Sequence, residues 1–146
     1  MDTTANLRLP LLQPGQAQKE LFHNESLQIL DIVAAAAVEE PARDHPPETA
    51  SAGSCYIVGA QPTGEWAGRQ NVLAAFTAAG WRFVTPTDGL DVYVRSTGSR
   101  AIFRDGGWQM GQSVAAPSGG TQVDAEARAT ISAILGVLRG HGLIAA

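Results

Sequence analysis

The sequence predicts an α+β fold, mainly β: an N-terminal arm and short helix, a small antiparallel meander sheet or partial barrel, and a C-terminal amphipathic helix. Three observations predict it. One phrase occurs twice, Phe76-Thr-Ala-Ala-Gly80-Trp81 and Phe103-Arg-Asp-Gly-Gly107-Trp108, each with Gly directly before Trp and Phe five residues ahead of it. Each copy reads as an aromatic strand, a tight turn and an aromatic strand returning beside the first. Turn signals at Ala79-Gly80, Asp88-Gly89, Thr97-Gly98 and Asp105-Gly106-Gly107 then cut residues 72–112 into strand-length runs. Finally, Ala127, Ile131, Ile134, Leu135 and Leu138 recur at helical spacing near the C-terminus.

The elements follow in chain order. Residues 1–15 read as an extended arm, because Pro10 and Pro14 forbid a regular helix and Gly15 punctuates its end. Four leucines (Leu7, Leu9, Leu11 and Leu12) load it with apolar surface, to be laid against a neighbouring subunit or against its own domain. Gln16 to Asp31 has helical character, with Asn24 a candidate N-cap that would divide it near His23. The alanines of 34–37 suit a helix by propensity, yet Ile32, Val33 and Val38 around them favour a short strand from Val33.

Prolines 41, 46 and 47 and four acids make residues 39–53 a loop. Cys55 to Val58 is a strand, and 59–68 a surface loop that carries Trp66. Strands are expected at Val72–Phe76, Trp81–Thr85, Leu90–Arg95, Arg100–Arg104 and Trp108–Gln112. Residues 114–122, with Pro117, Gly119 and Gly120, form a flexible linker. Asp124 to Arg139 is a helix, with Asp124 able to cap it and Gly140 or Gly142 able to stop it. The domain reading is therefore an arm at 1–15, a helix plus antiparallel β domain at 16–113, a linker at 114–122 and an oligomerisation helix at 123–146. Isolated in water the last helix is marginal, so its stripe, above all Ile131, Ile134, Leu135 and Leu138, must meet something.

Charged residues are 16% of the chain, against 16 glycines and 8 prolines, a turn-rich balance typical of short-stranded β structure. Aromatics are sparse at 6%, so small apolar residues must finish the core, and burial against further copies of the chain would supplement it. A net charge of −4 with no cluster of Lys or Arg argues against nucleic-acid binding. No run approaches the ~20 apolar residues of a membrane helix, and no signal peptide is expected. The single cysteine, Cys55, excludes an intrachain disulfide and a multi-thiolate metal site.

Patterns that suggest chemistry fall short of it. Gly59 to Gly64 has phosphate-loop glycine spacing, but Glu65 and Trp66 stand where Lys and Ser/Thr are needed. His23 lacks a second histidine at i+4, and His45 and His141 lie far from it, so no metal is expected. Cys55 among apolar neighbours reads as a small core residue. Glu39, Glu40, Asp44 and Glu48 contain the residue types of a glycosidase pair, but on a loop with nothing to fix their separation. No enzyme and no cofactor are expected. Trp66, beside Glu65, could stack on a sugar ring while the carboxylate takes hydroxyls, or fold back and seal the core.

Three segments together resemble a known family. Leu9-Pro-Leu-Leu12, Gly15-Gln-Ala-Gln-Lys-Glu20 and His23-Asn-Glu25 are similar to its opening signature. Tyr56 to Gly59, Thr63 to Gly68 and Gly80 to Pro86 are similar to its core. Val123 to Arg128, with Ile134 to His141, resembles a tail often attached to it. The family is a domain of unknown function in tail-fibre and tail-associated proteins of alphaproteobacterial phages, prophages and gene transfer agents. It has no established catalytic residues to carry over.

The resemblance implies a structural and adhesive virion component, a homo-oligomeric tail fibre or spike made in the host cytoplasm and involved in host attachment. Its partners would be itself and other tail or head proteins, as a trimer in a fibre or a pentamer at a capsid vertex. Leu9, Leu11, Leu12, Gln16, Gln18 and Lys19 are the expected docking residues. The alternative is a glycan-binding module that takes host surface polysaccharide on Trp66 and Glu65.

Overall fold

The computed structural model describes residues 2–13, 15, 19–121 and 123–145. Helix α1 runs over Lys19–Ala34, strand β1 over Ala37–Val38, β2 over Cys55–Ile57, β3 over Leu73–Thr77, β4 over Gly80–Val84, β5 over Asp91–Val94, β6 over Ser99–Arg104, β7 over Gly107–Met110, and α2 over Ala125–Gly140. The fold is mixed α+β, mainly β, and its strands form two sheets instead of a closed barrel. One sheet has the order β1-β5-β6-β7, the other β2-β3-β4. All pairings are antiparallel except β1 with β5.

The doubled phrase makes two hairpins of matching register. In β3–β4 Phe76 lies opposite Trp81, and in β6–β7 Phe103 lies opposite Trp108. Both pairs meet edge to face at an interplanar angle of 68°, with centroids 5.0 and 5.4 Å apart. Such cross-strand aromatic pairs are worth about 0.5–1.5 kcal/mol beyond their buried area. The β6–β7 turn uses Asp105 and Gly106 at φ 53° and 77°, the left-handed pair that a two-residue I′ turn requires.

The two sheets face each other across the main core. Val38, Val92, Val94 and Ala101 on one side pack with Cys55, Ile57, Leu73 and Ala75 on the other, and Ile32 of α1 joins them. At about 1.5–3 kcal/mol for each large aliphatic side chain buried, this layer is the principal source of stability. The reverse face of the three-stranded sheet holds a second cluster of Tyr56, Val58, Ala74 and Trp66. Between the sheets, the Trp108 indole donates to the Asn71 carbonyl at 2.9 Å and the Asn71 side chain donates to the Gly106 carbonyl at 3.1 Å.

Three local expectations are corrected. α1 is one continuous helix through His23, and Asn24 is not its N-cap. The Asn24 side chain instead accepts from the Leu12 amide at 2.9 Å and donates to the Leu12 carbonyl at 3.0 Å. The helix also runs on to Ala34, so the strand expected from Val33 is reduced to Ala37–Val38. There, alanine propensity prevails over the β-branched pair before it.

Residues 2–13, expected as an extended arm, fold back as a small hairpin. Thr3 bridges Pro10, the Thr4 amide donates to the Leu9 carbonyl at 3.0 Å, and the Leu11 amide donates to the Asp2 carbonyl at 2.8 Å.

α2 begins where Asp124 accepts from the Ala127 amide at 2.9 Å. It ends in a Schellman motif: Leu143 N–H donates to the Leu138 carbonyl and Gly142 N–H to that of Arg139, both at 2.9 Å. Gly142 stands at φ 68°, and a Cβ there would lie 3.2 Å from the Gly98 carbonyl oxygen, so backbone conformation and space both require glycine.

Candidate functional site

Trp66 sits in a short 3-10 turn at Gly64–Trp66 and is 0% exposed. Its ring meets Trp81 edge-on at 5.0 Å and Tyr56 at 5.7 Å. The loop is drawn down by Asp44, whose carboxylate accepts from the Gln61 amide at 2.9 Å and whose carbonyl accepts from the Thr63 amide at 2.7 Å. An indole so enclosed offers no face to a sugar. Of the two readings of Trp66, the geometry matches the second: the ring folds back and seals the reverse face of the sheet. Glu65 beside it is exposed.

Three of the four acids of the 39–53 loop are engaged, Asp44 as just described. Glu40 pairs with Arg43 at 2.7 Å, and Glu39 lies 3.6 Å from Arg95. The loop is not loose, because Glu39 N–H donates to the Cys55 carbonyl and Arg43 N–H to that of Ile57, which lays it along β2. The Cys55 thiol, enclosed in the core, is pushed up to about 12 by burial, with the Glu39 charge adding to the effect and the Tyr56 amide opposing it. A thiol held protonated is a poor nucleophile. Among the described residues no group of three or more His, Cys, Asp or Glu is placed to hold a metal ion.

What the molecule does present is apolar helix surface. On α1, Phe22 is 82% exposed and Leu21 66%, while Ile29 and Leu30 are also exposed. Phe22, Ser26, Ile29 and Val33 share one helical face, opposite the face that buries Asp31 and Ile32. On α2, Ile131, Ile134 and Val137 are exposed, and Leu138 is half-buried. Leu135, expected in the same outward stripe, is 6% exposed and turns inward. Isolated apolar residues on a surface are ordinary, whereas several on one helix face mark an interaction surface.

A concavity with a largely apolar lining lies on the outer face of the four-stranded sheet. It has a volume of about 420 Å³ and is lined by Asp91, Arg100, Ile102, Gln109 and Leu143 among others. Asp91 and Arg100 pair across its floor.

Residues 23–109 match the model of a family described as protein of unknown function (DUF2793). That span exceeds half of the chain. The chain belongs to the DUF2793 family. No curated protein matches it. The DUF2793 region opens within α1 and closes in β7, so it contains both Phe–Trp hairpins and Trp66. The Leu9–Glu20 block and α2 lie outside it.

The expected docking residues are not gathered on a free arm. Leu9, Leu11 and Leu12 are half-buried in the hairpin held to α1. Gln16 and Gln18 lie outside the described residues, and Lys19 opens α1 with its side chain outside them as well. Sequence reasoning missed the outward face of α1. The available signal was that apolar residues of α1 fall on more than one side of the helix, more than a single buried stripe requires.

Proposed function

We propose that this DUF2793 protein is a structural, self-assembling subunit of a phage-like or gene-transfer-agent-like particle, part of a fibre or spike involved in host attachment. One observation carries the self-assembly: the β body closes its own core, yet both helices leave large apolar side chains outside it, Phe22 at 82% and Val137 at 60% exposed. Placement on a particle is supported by the sequence resemblance of the Gly15–Glu20 block and the terminal segment to tail-associated proteins. The partners are further copies of the chain and the proteins of the tail or head to which the assembly attaches. Glycan recognition on Trp66 is not part of this reading, since that ring is enclosed.

Two measurements test it. Light scattering across micromolar concentrations should return a mass well above the 15.3 kDa chain. Gold-labelled antibody against the protein should decorate purified particles at a defined place. A monomer at every concentration, together with unlabelled particles, would sink the reading.

A further inference from the structure

The segment that follows α2 is seated in the four-stranded sheet as a short extra strand. The chain parts from β6 after Gly111, whose amide still donates to the Arg100 carbonyl at 3.1 Å. Residues 142–145 fill the slot that opens there. The Arg100 amide donates to the Gly142 carbonyl at 2.9 Å, the Ala145 amide donates to the Gln112 carbonyl at 3.1 Å, and Ser113 bridges Ala145 in parallel. The seat is close. The Leu143 carbonyl oxygen, the Ile144 Cα and the Ala145 nitrogen lie 3.4–3.6 Å from where a Cβ on Gly111 would stand. Gly142 is buried at the entrance, beside Gly98 and Ser99.

The helix itself is bound lightly. Among the described residues of α2, Leu135 alone is buried. At the same end the Arg139 guanidinium donates to the Val114 carbonyl at 2.7 Å. Residues 115–121, which include Pro117, Gly119 and Gly120, are all exposed and belong to no helix or strand. Arg128 donates to the Gly119 carbonyl within this stretch.

We infer that residues 123–145 are an exchangeable unit: in the assembly, the slot beside Arg100 and Gln112 receives residues 142–145 of a second copy. The inference rests on the self-assembling reading above and names how neighbouring copies are joined. The polar groups of the slot, from Arg100, Gln112 and Val114, all precede the connecting stretch, and the groups that meet them, from Arg139, Gly142 and Ala145, all follow it. The same hydrogen bonds therefore form whether the two sides come from one chain or from two, which makes exchange a low-cost route to association. The bond from Arg128 to Gly119 is the contact that exchange gives up. Seven extended residues reach about 23–25 Å, enough to carry α2 from its own body to an adjoining one.

Two further features favour exchange once copies lie side by side. A unit held by so few buried groups opens before the β body unfolds. Opening leaves the Arg100 amide and the Gln112 carbonyl unpaired on a strand, and such an edge is a template for another strand. What fits is restricted, since the entrance accepts only glycine at 142. In an assembly the segments that meet this requirement are those of neighbouring copies, held at high local concentration. The slot fixes how neighbours are joined, and not their number.

The test uses the full chain. Residues that face each other in a strand bridge lie within disulfide reach. Ser113→Cys and Ala145→Cys chains are therefore made separately, refolded together under reductant and then oxidised mildly. Exchange should give 113–145 disulfides between chains, several-fold in excess of what random pairing gives, identified by mass spectrometry of the linked peptides. A closed fold cannot form this link, because neither chain carries both thiols. Assembled protein in which 113–145 links are no more frequent than random pairing gives would overturn the inference and leave self-assembly intact. Gly142→Val, which blocks the seat, should lower the assembled fraction several-fold, with an unchanged near-ultraviolet circular dichroism signal from the buried Trp66. Full assembly of that variant would overturn the inference as well, and the cross-link decides where the variant does not fold. A wild-type monomer at every concentration would remove both readings.

Discussion

The Thr4 hydroxyl donates a 2.7 Å hydrogen bond to the Asp31 carboxylate, joining two side chains that are each 2% exposed and 27 residues apart. The same carboxylate accepts from the Leu7 amide at 2.6 Å, the Asn6 amide at 3.0 Å and the Asn6 side chain at 3.0 Å. Asp31 is thus the anchor around which the N-terminal hairpin is wrapped. Replacing it by alanine leaves buried donors without an acceptor, at a cost on the order of 3 kcal/mol. Asp31→Ala should lower the denaturant midpoint accordingly and expose residues 2–13 to limited proteolysis, while the β body stays resistant. Equal protease resistance of the hairpin in mutant and wild type would contradict the anchoring role.

The anchor has a pH dependence of defined sign. Burial pushes the Asp31 carboxyl up, but the amides of Leu7 and Asn6 and the side chains of Thr4 and Asn6 outweigh it and hold the group below the usual carboxylate range. A depressed folded-state value means that the contribution is fully present above the unfolded value of about 3.9. It is lost as pH falls through the folded-state value. Hydrogen exchange at Thr4 and Leu7 should therefore be unchanged from neutral pH down to about 4, beyond the intrinsic rate, and accelerate only in stronger acid. Release of the hairpin between pH 5 and 7 would show that Asp31 is not what holds it.

Trp66 gives a prediction opposite to that of a sugar platform. It is fully enclosed by Tyr56 and Trp81, and its indole nitrogen has no hydrogen-bond partner among the described residues. Trp66→Ala should therefore cost about 3–5 kcal/mol of stability through the cavity it leaves. Chemical denaturation measures this directly. A substitution that left the midpoint unmoved would return Trp66 to the surface.

Much of this architecture was legible in the sequence, and the reason is locality. The paired phrases at Phe76–Trp81 and Phe103–Trp108 specify hairpins by turn residues and alternation within a few positions. Their strands lie within a residue or two of expectation. The α2 cap at Asp124 and stop at Gly142 were legible for the same reason. What was not legible depends on distant partners. The division into two facing sheets rests partly on β1 pairing with β5 across more than fifty positions. Asn24 has the residue type of a cap, yet it serves Leu12 from mid-helix. For the candidate site, the α2 stripe was readable as amphipathic, but not that Leu135 turns inward while Ile131 and Ile134 face out. The burial of Trp66 depends on Asp44, twenty-two residues earlier, drawing its loop down.

Cys55 should be silent towards thiol reagents in the native protein. Burial raises its titration to about 12 from a reference value of 9.0, so the thiolate is scarce near neutral pH and the sulfur is enclosed as well. The sign of the linkage follows: a raised folded-state value gives stability that is complete below the unfolded value and is lost as pH climbs from about 9 towards 12. A chromogenic disulfide reagent at pH 8 should react only as denaturant unfolds the chain, with the reaction tracking the unfolding midpoint. Stoichiometric reaction of the folded protein would place Cys55 outside the core.

The outward face of α1 separates folding from association. Phe22 is 82% exposed and Ile29 41%, so neither contributes much to the chain's own core. Surface substitutions of this kind usually change stability by no more than about 0.5 kcal/mol. Phe22→Ser and Ile29→Ser, singly and together, should therefore leave the denaturation midpoint of the chain nearly unchanged. If this face contacts other subunits or particle proteins, the double substitution should weaken assembly where a surface alanine change such as Gln70→Ala does not. Sedimentation velocity and incorporation into purified particles are the two readouts. Wild-type behaviour in both would assign assembly to α2 alone, and a fall in the denaturation midpoint by several kcal/mol would mean that Phe22 and Ile29 pack inward.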